Sequence, residues 1–340
     1  MDSGPTYDAI LIVSFGGPEK PEDVIPFLEN VLRGRRVPRD RLLEVAGHYQ
    51  RFGGVSPINA QTRELIAGLE AELRAHGLNL PVWWGNRNWH PLLPDTLAQM
   101  AAAGVRRALA FVTSAWSSYS SCRQYLENID NARGAVGAGA PAIDKLRPFS
   151  DHPGFREAMA DRVRAALVGR RDDAAVLYTA HSIPLSMASG CRYESELREA
   201  AAGVSSLAGV EQWQLVYQSR SGAPDQPWLG PDIGEALRAL AAAPNTRDVA
   251  RDVVVVPLGF LSDHMEVLYD LDVEARALCG QLGLRMVRAG TVGTHPRFLS
   301  MIRERIEDAI ARGGAEPCDL DCCRVGRGAN WLPGDPTRAR

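Results

Sequence analysis

The sequence predicts an α/β protein with two doubly wound, Rossmann-like domains, each built on a parallel sheet. Three observations carry that expectation. Short β-branched runs such as Val253–Val256 are too brief for helices and apolar enough for strands buried on both faces. They alternate with stretches whose apolar positions recur at helical spacing, the pattern of strand–helix–strand units in parallel sheets. The alternation runs once to residue 168 and restarts at 172, in a chain of 340 residues with room for two ordinary domains. The expected organisation is an α/β domain over 6–168, a second over 172–294, a helix over 295–312 and a cysteine-bearing tail over 313–340.

Composition narrows the classes. A hydrophobic content of 45% supplies real cores, and a formal net charge of −3 gives no electrostatic case for nucleic acid. No stretch reaches the about 18 uninterrupted apolar residues of a membrane span. The opening Met-Asp-Ser-Gly-Pro lacks the basic and apolar regions of a signal peptide, so a cytoplasmic protein is expected. Six cysteines are too few and too unevenly placed for a disulfide scaffold. Cys318, Cys322 and Cys323 crowd the C-terminal end, either as thiolate ligands of a metal or cluster or as a chance group of tail thiols.

In chain order, Tyr7–Phe15 reads as a strand that stops at Gly16-Gly17-Pro18. The residues from Pro21 to Leu32 carry Val24, Phe27, Leu28 and Val31 at helical spacing. Ser56-Pro57 looks like a helix cap followed by proline in the first turn, opening a helix that buries Leu65, Ile66, Leu69 and Leu73. Short strands follow at 81–85 and 107–114, a helix at 118–131 and a Gly/Ala-rich loop at 133–141. After a helix at 153–168, strands are expected at 174–179, 213–218, 253–256 and 284–289. Helices near 192–208, 231–242 and 264–279 separate them, and a last helix covers 296–311.

Chemistry concentrates at strand ends. His181 closes the first strand of the second series, while His264 and Glu266 follow the valine run beyond a Pro-Leu-Gly turn, with Ser262 or Asp263 as candidate caps. Ligands bind at the carboxyl ends of strands in open α/β sheets. An imidazole and a carboxylate there can relay protons or bind a divalent cation such as ferrous iron. Glu266, Asp270 and Glu274 recur every four residues on one helical face, either a solvated face or an acidic row with a purpose. Neither a dinucleotide fingerprint nor a Walker loop accompanies Gly16-Gly17, which suit a tight turn or the close approach of a flat ligand. Trp83, Trp84, Trp89, Trp116, Tyr119, Tyr125 and Trp228 sit mostly in loops or at strand ends, as core packing or as the walls of a large apolar cleft. Arg87 and Ser56 beside them could pair with carboxylates of a ligand.

A series of short motifs runs along the chain: Ser14-Phe-Gly-Gly-Pro18, Gly53-Gly-Val-Ser-Pro-Ile58, Gly85-Asn-Arg-Asn-Trp89 and Thr179-Ala-His-Ser-Ile-Pro184. Gln218-Ser-Arg-Ser-Gly222, Pro227-Trp-Leu-Gly230 and Gly259-Phe-Leu-Ser-Asp-His-Met-Glu266 extend it. In the order and spacing of these motifs the chain resembles the ferrochelatase family over nearly its whole length. The resemblance implies a class II chelatase-like fold, an interdomain porphyrin cleft and insertion of Fe(II) into a porphyrin. By the same resemblance, His181 and Glu266 bind the metal and take the pyrrole protons. Phe15, Tyr49, Ser56, Arg87, Tyr125, Trp228 and His264 contact the porphyrin. Asp270 and Glu274 lead metal or protons to solvent.

Cys122 stands where cluster-bearing relatives have their internal ligand, and Cys318, Cys322 and Cys323 where they have the C-terminal three, which implies a [2Fe–2S] cluster. The adjacent pair Cys322-Cys323 departs from the wider family spacing, and Cys191 and Cys279 match no ligand position. The segment around Phe15, the Asn-Arg-Asn-Trp run and the Ala/Arg-rich composition resemble actinobacterial members, which make coproheme. Coproporphyrin III is therefore the expected substrate, with protoporphyrin IX the alternative. Phe15 replaces a tyrosine that many coproporphyrin-using relatives carry as an axial iron ligand, and it can only pack on the ring. A cobalt or nickel chelatase of similar architecture and a non-catalytic haem or porphyrin carrier are the competing readings.

Overall fold

The computed structural model describes residues 7–34, 37–170, 174–221, 226–243, 251–318 and 322–323. The chain divides into two compact units: Met1–Thr113 with Ser118–Arg147 and Ile302–Arg340, and Ser114–Ser117 with Pro148–Met301. Gly222 of the fifth motif and the Gly-, Pro- and Arg-rich tail from 324 onward lie outside the described residues.

The first unit contains β1 (Ala9–Ser14), α1 (Val24–Val31), α2 (Arg39–Gln50), α3 (Ile58–Ala75), β2 (Val82–Asn86), α4 (Leu93–Ala102), β3 (Arg107–Val112), α5 (Gln124–Val136) and β4 (Ala142–Lys145). Its strands form one parallel sheet in the order β2-β1-β3-β4. Every residue of β1 is buried, because it is flanked by strands on both edges and covered on both faces. Leu11, Val13, Leu97, Met100, Ala110 and Ile129 pack in the core on one face. A smaller cluster joins Val24, Phe27 and Leu28 of α1 to Leu42 and Ala46 of α2. The chain leaves β1 for β2 on one side and returns to β3 on the other, so the topological switch point lies between the carboxyl ends of β1 and β3.

Three local expectations change here. The helix expected from 118 begins as a π-helical turn, Tyr119–Arg123, capped by Ser118, whose Oγ accepts from the Ser121 amide at 3.1 Å. The loop expected over 133–141 is partly helix, since α5 runs to Val136, and it leads into β4. That strand is short and half-exposed and pairs only with β3, so it lacks the apolar signature of a central strand. Ser56 does not cap α3: the helix starts at Ile58 after Pro57, with no side-chain cap.

The second unit contains α6 (Pro153–Leu167), β5 (Ala175–His181), α7 (Leu185–Ala188), α8 (Tyr193–Ala208), β6 (Trp213–Gln218), α9 (Ile233–Ala242), β7 (Asp252–Val256), α10 (Met265–Val267), α11 (Arg276–Gln281) and β8 (Arg285–Arg288). The last helix, α12 (Pro296–Ala311), contributes its residues up to Met301 to this unit. The sheet is again parallel, in the order β6-β5-β7-β8. Leu177, Val253, Val255, Leu237, Val267 and Leu271 share one core. Because α6 packs on α8, it groups with this unit, and the chain passes from one unit to the other at 147–148 rather than at 168–172.

The helix expected over 264–279 is three pieces, with a π-helical segment, Leu268–Ala275, between α10 and α11. Its acidic row consequently meets three environments: Glu266 and Asp270 are partly buried and Glu274 is exposed. The cap is His264, whose Nδ1 accepts from the Glu266 amide at 3.2 Å, in place of Ser262 or Asp263.

Candidate active site

In the second unit the switch point of the strand order falls between β5 and β7. His181 is the last residue of β5, and the segment after β7 delivers Glu266 to the first turn of α10. Gly259 lets that segment close onto the strand end. Its amide donates to the Thr179 carbonyl at 2.9 Å, and a Cβ there would stand 2.6 Å from Ala180 Cα. The buried Trp116 donates its Nε1–H to the Gly259 carbonyl at 3.1 Å, so this tryptophan is a structural strut.

The result is a close pair: His181 Nε2 lies 3.5 Å from Glu266 Oε1, with 33% and 46% of the two side chains exposed. The other ring nitrogen, Nδ1, is 2.5 Å from the Ser182 carbonyl. A carbonyl only accepts, so Nδ1 carries a proton and the lone pair of the neutral ring belongs to Nε2, facing Glu266. Burial works against the imidazolium, but the Glu266 carboxylate, the Ser182 carbonyl and Asp270 outweigh it and raise His181 to about 9. Burial likewise pushes Glu266 upward, and His181 and His264 overcome it, lowering the carboxyl to about 2. Without metal the pair is therefore an imidazolium–carboxylate pair at neutral pH. His264 packs edge-on against Phe260 at 4.9 Å between ring centroids, and burial lowers its pKa.

Arg288 locks the approach to Glu266. Its guanidinium donates to both oxygens of Asp272 and to Asp263, each at 2.9 Å, with the arginine side chain only 14% exposed. Asp270 accepts from the Ser219 hydroxyl and, at 3.4 Å, from Gln218 Nε2. Burial and the charge of Glu266 raise Asp270 to about 7. Trp228 sits on a strap paired to the residues just after His181, with Leu229 N donating to the Ile183 carbonyl at 3.0 Å. Its buried Nε1–H has no hydrogen-bond partner among the described residues.

The first unit gathers Phe15, Arg87 and Tyr125. Hydrogen bonds from the Arg87 and Asn88 amides to the carbonyls of Ser14 and Phe15, at 3.0 and 3.1 Å, set Arg87 beside Phe15. The Arg87 guanidinium lies 4.4 Å from the Tyr125 ring centroid and 5.7 Å from that of Phe15. No carboxylate pairs with it among the described residues, and it also makes a weak donation to the Ser120 carbonyl at 3.4 Å. Phe15 and Tyr49 both pack edge-on against Phe27, at 6.3 and 5.9 Å. Ser56 is buried against Gly17, where a Cβ would come within 2.8 Å of Ser56 Cβ. Trp89 also packs on Phe27, and Tyr119 is buried with its hydroxyl on Glu127, so both serve the protein core. Gly16, at φ +82 and with Asn86 2.9 Å from its virtual Cβ, serves a turn and a close approach of the protein's own chain.

A separate cavity in the same unit is lined by Cys122, Arg123, Leu126, Lys145, Cys318, Cys322 and Cys323. Lys145 Nζ donates to Cys122 Sγ at 3.2 Å, and the sulfurs of Cys322 and Cys323 are 3.5 Å apart. Hydrogen bonding to Cys122 lowers the Cys318 thiol to about 6 against the effect of burial, with Lys145 and Arg147 adding positive charge, while Cys122 is pushed up. Cys279 is a buried core residue, and Cys191 donates to the Met187 carbonyl at 3.3 Å. Among the described residues, no group of three or more His, Cys, Asp or Glu side chains is arranged to hold a metal ion.

Sequence reasoning assigns no role to Ser219, Gln218 or Arg288. Ser219 and Gln218 do lie inside a family motif, but Arg288 is an isolated basic residue whose carboxylate partners become visible only in three dimensions.

The fold is that of the class II chelatases. It matches SirB from Bacillus subtilis with Fe3+ at a TM-score of 0.54 and 14% identity, over 92% of this chain and all of that one. It also matches CbiX, the terminal enzyme of siroheme biosynthesis in denitrifying bacteria, at a TM-score of 0.50 and 17% identity, over 88% and 99%. The chain belongs to the ferrochelatase family: the family model for Ferrochelatase matches residues 7–310. It is 51% identical to a Ferrochelatase of Rhodopirellula baltica over 95% of both chains. It is 53% identical to a Coproporphyrin III ferrochelatase of Frankia alni, over 93% of this chain and 86% of that protein.

Proposed function

We propose that the protein inserts Fe(II) into coproporphyrin III to give coproheme, with His181 and Glu266 as the transient iron ligands and proton acceptors. The observation that carries this is the pairing of His181 Nε2 with Glu266 Oε1 at 3.5 Å while Nδ1 is tied to a carbonyl. Metallation replaces two pyrrole protons with a dication, so a lone pair and an anionic base are needed at one point. Two protein ligands are enough for a cargo metal, since the macrocycle supplies the other donors. Closed protein cages of four ligands belong to resident structural metals. The resident proton on Nε2 must leave before iron binds.

Phe15 and Tyr49 offer flat apolar surface for the ring, and the Arg87 guanidinium suits a propionate through a charge-assisted hydrogen bond. In the second unit, Trp228, on the strap paired to the residues after His181, carries an indole N–H with no hydrogen-bond partner among the described residues. Coproporphyrin III, with four propionates, is favoured over protoporphyrin IX by the substrate named for relatives about half identical to this chain. Side-by-side initial rates test this: coproporphyrin III is metallated faster, and a preference for protoporphyrin IX contradicts the substrate assignment. A pure carrier would bind either porphyrin with no iron-dependent turnover.

We also read Cys122, Cys318, Cys322 and Cys323 as ligands of a [2Fe–2S] cluster. What supports this reading is that the four thiols line one cavity with a lysine against one sulfur, and that such a cluster takes two thiolates per iron rather than three on one ion. Bound there, it would supply a tie between the C-terminal segment and Cys122 and a one-electron couple. No described helix is long and apolar enough to cross a membrane, and no disulfide joins the cysteines, which suits the reducing cytoplasm.

A further inference from the structure

Ser219 holds a left-handed backbone conformation, with φ at +60. Outside glycine such a conformation costs about 1 kcal/mol or more, and it persists where the surroundings make use of the side chain. Glycine would adopt it freely, so the hydroxyl is what a serine adds at this position. That hydroxyl donates to Asp270 Oδ2. Next to it, Gln218 is 1% exposed, and its Nε2 donates to the Glu266 carbonyl oxygen at 2.8 Å and to Asp270 Oδ2 at 3.4 Å.

Asp270 needs such restraint. Its carboxyl is partly buried and feels the negative charge of Glu266, and both effects drive a carboxylate towards solvent. We infer that Gln218 and Ser219, at the end of β6, are positioning residues that hold Asp270 behind Glu266 as the relay between the His181–Glu266 pair and the exposed Glu274. A hydroxyl suits a relay because it donates to a carboxylate and accepts from a carboxylic acid, so the tether survives a change of proton on Asp270. Gln218 fixes the main chain of the turn that carries Glu266, so the spacing between the two carboxylates is set by one adjacent pair of residues. This inference rests on the reading of His181 and Glu266 as the iron-receiving pair.

The test uses Ser219→Gly, which removes the hydroxyl and relieves the backbone, and Ser219→Ala, which removes the hydroxyl alone. Initial rates are measured against Fe(II) at saturating porphyrin and against porphyrin at saturating Fe(II), together with Tm. Both variants should lower kcat/KM for iron about tenfold, the worth of one charge-assisted hydrogen bond, and leave the porphyrin KM unchanged. Ser219→Gly should do so with a Tm at or above that of the parent. Adding Ser219→Gly to Asp270→Asn should cause little further loss, because the tether then has no relay carboxylate left to position. Three results overturn the inference: a parental kcat/KM for iron in Ser219→Gly, full additivity with Asp270→Asn, or a Tm fall in Ser219→Gly that accounts for its lost activity. Glu266→Gln is assayed alongside. Parental turnover in that variant refutes the underlying site, whereas an inactive Glu266→Gln with a normal Ser219→Gly refutes only the tether.

Discussion

Gly259 and Ala180 are so close that a single added Cβ on Gly259 would fall 2.6 Å from Ala180 Cα. This contact seats the segment after β7 on the end of β5, and so it decides whether Glu266 reaches His181. Gly259→Ala forces backbone apart from backbone, an overpacking cost of about 1–3 kcal/mol. The expected outcome is a lower Tm and a kcat reduced at least about tenfold, since small misplacements of reacting groups are expensive. Thermal unfolding and steady-state rates check it.

Arg288 joins Asp263 and Asp272 across the loop and helix that flank Glu266. Arg288→Met removes the cation shared by the two carboxylates and leaves Arg276, 3.2 Å from Asp272, as a more exposed charge partner. The loss should be about 2–3 kcal/mol of stability, at or below the 3–5 kcal/mol of a fully buried pair because both partners retain some solvent. Arg288→Lys should recover only part, as one ammonium replaces the two guanidinium nitrogens that reach Asp272 (Nε) and Asp263 (Nη1) separately. Chemical denaturation of the three proteins decides it.

The His181–Glu266 pair makes metal uptake depend on pH. The folded-state pKa of His181 is raised from 6.5 to about 9, so the pair's stabilising attraction is complete below 6.5 and is lost as pH rises through about 9. Binding a metal removes the same proton. Apparent affinity for zinc, a probe that does not oxidise, should therefore rise about tenfold per pH unit between neutrality and about pH 9 and then level off. His181→Ala should abolish that slope, which calorimetry on the porphyrin-free protein can measure.

The cysteine cavity predicts a coloured protein. Material purified anaerobically with iron present should be reddish-brown with thiolate-to-iron absorption, and Cys122→Ser should lose both. Lys145→Met should keep the colour but shift the reduction potential downward, because the lysine hydrogen bond to Cys122 Sγ favours the more negative reduced cluster. A colourless wild type contradicts the cluster assignment.

Much of this fold is legible in the residues. Central strands such as β1 and β7 are continuous apolar runs, and the strand-end positions of His181 and Glu266 follow from them. What escapes is either short and polar or set by distant contacts. β4 is a half-exposed edge strand without an apolar signature, and the break of the 264–279 helix into α and π segments leaves no mark in its spacing. His264 as a cap, Arg288 as a lock and Ser219 as a tether depend on partners far along the chain. The acidic row is the instructive case: even spacing suggests three equivalent carboxylates, yet Glu266 faces a histidine, Asp270 is tied down and Glu274 is exposed.

The central claim is that His181 and Glu266 carry the metal insertion. Its most direct test is single-turnover Fe(II) insertion into pre-bound coproporphyrin III by His181→Ala and Glu266→Gln, with porphyrin affinity measured on the same samples. The account predicts porphyrin binding within a few-fold of the parent and insertion slowed at least about a hundredfold in each variant. Near-parental insertion in either variant would contradict it.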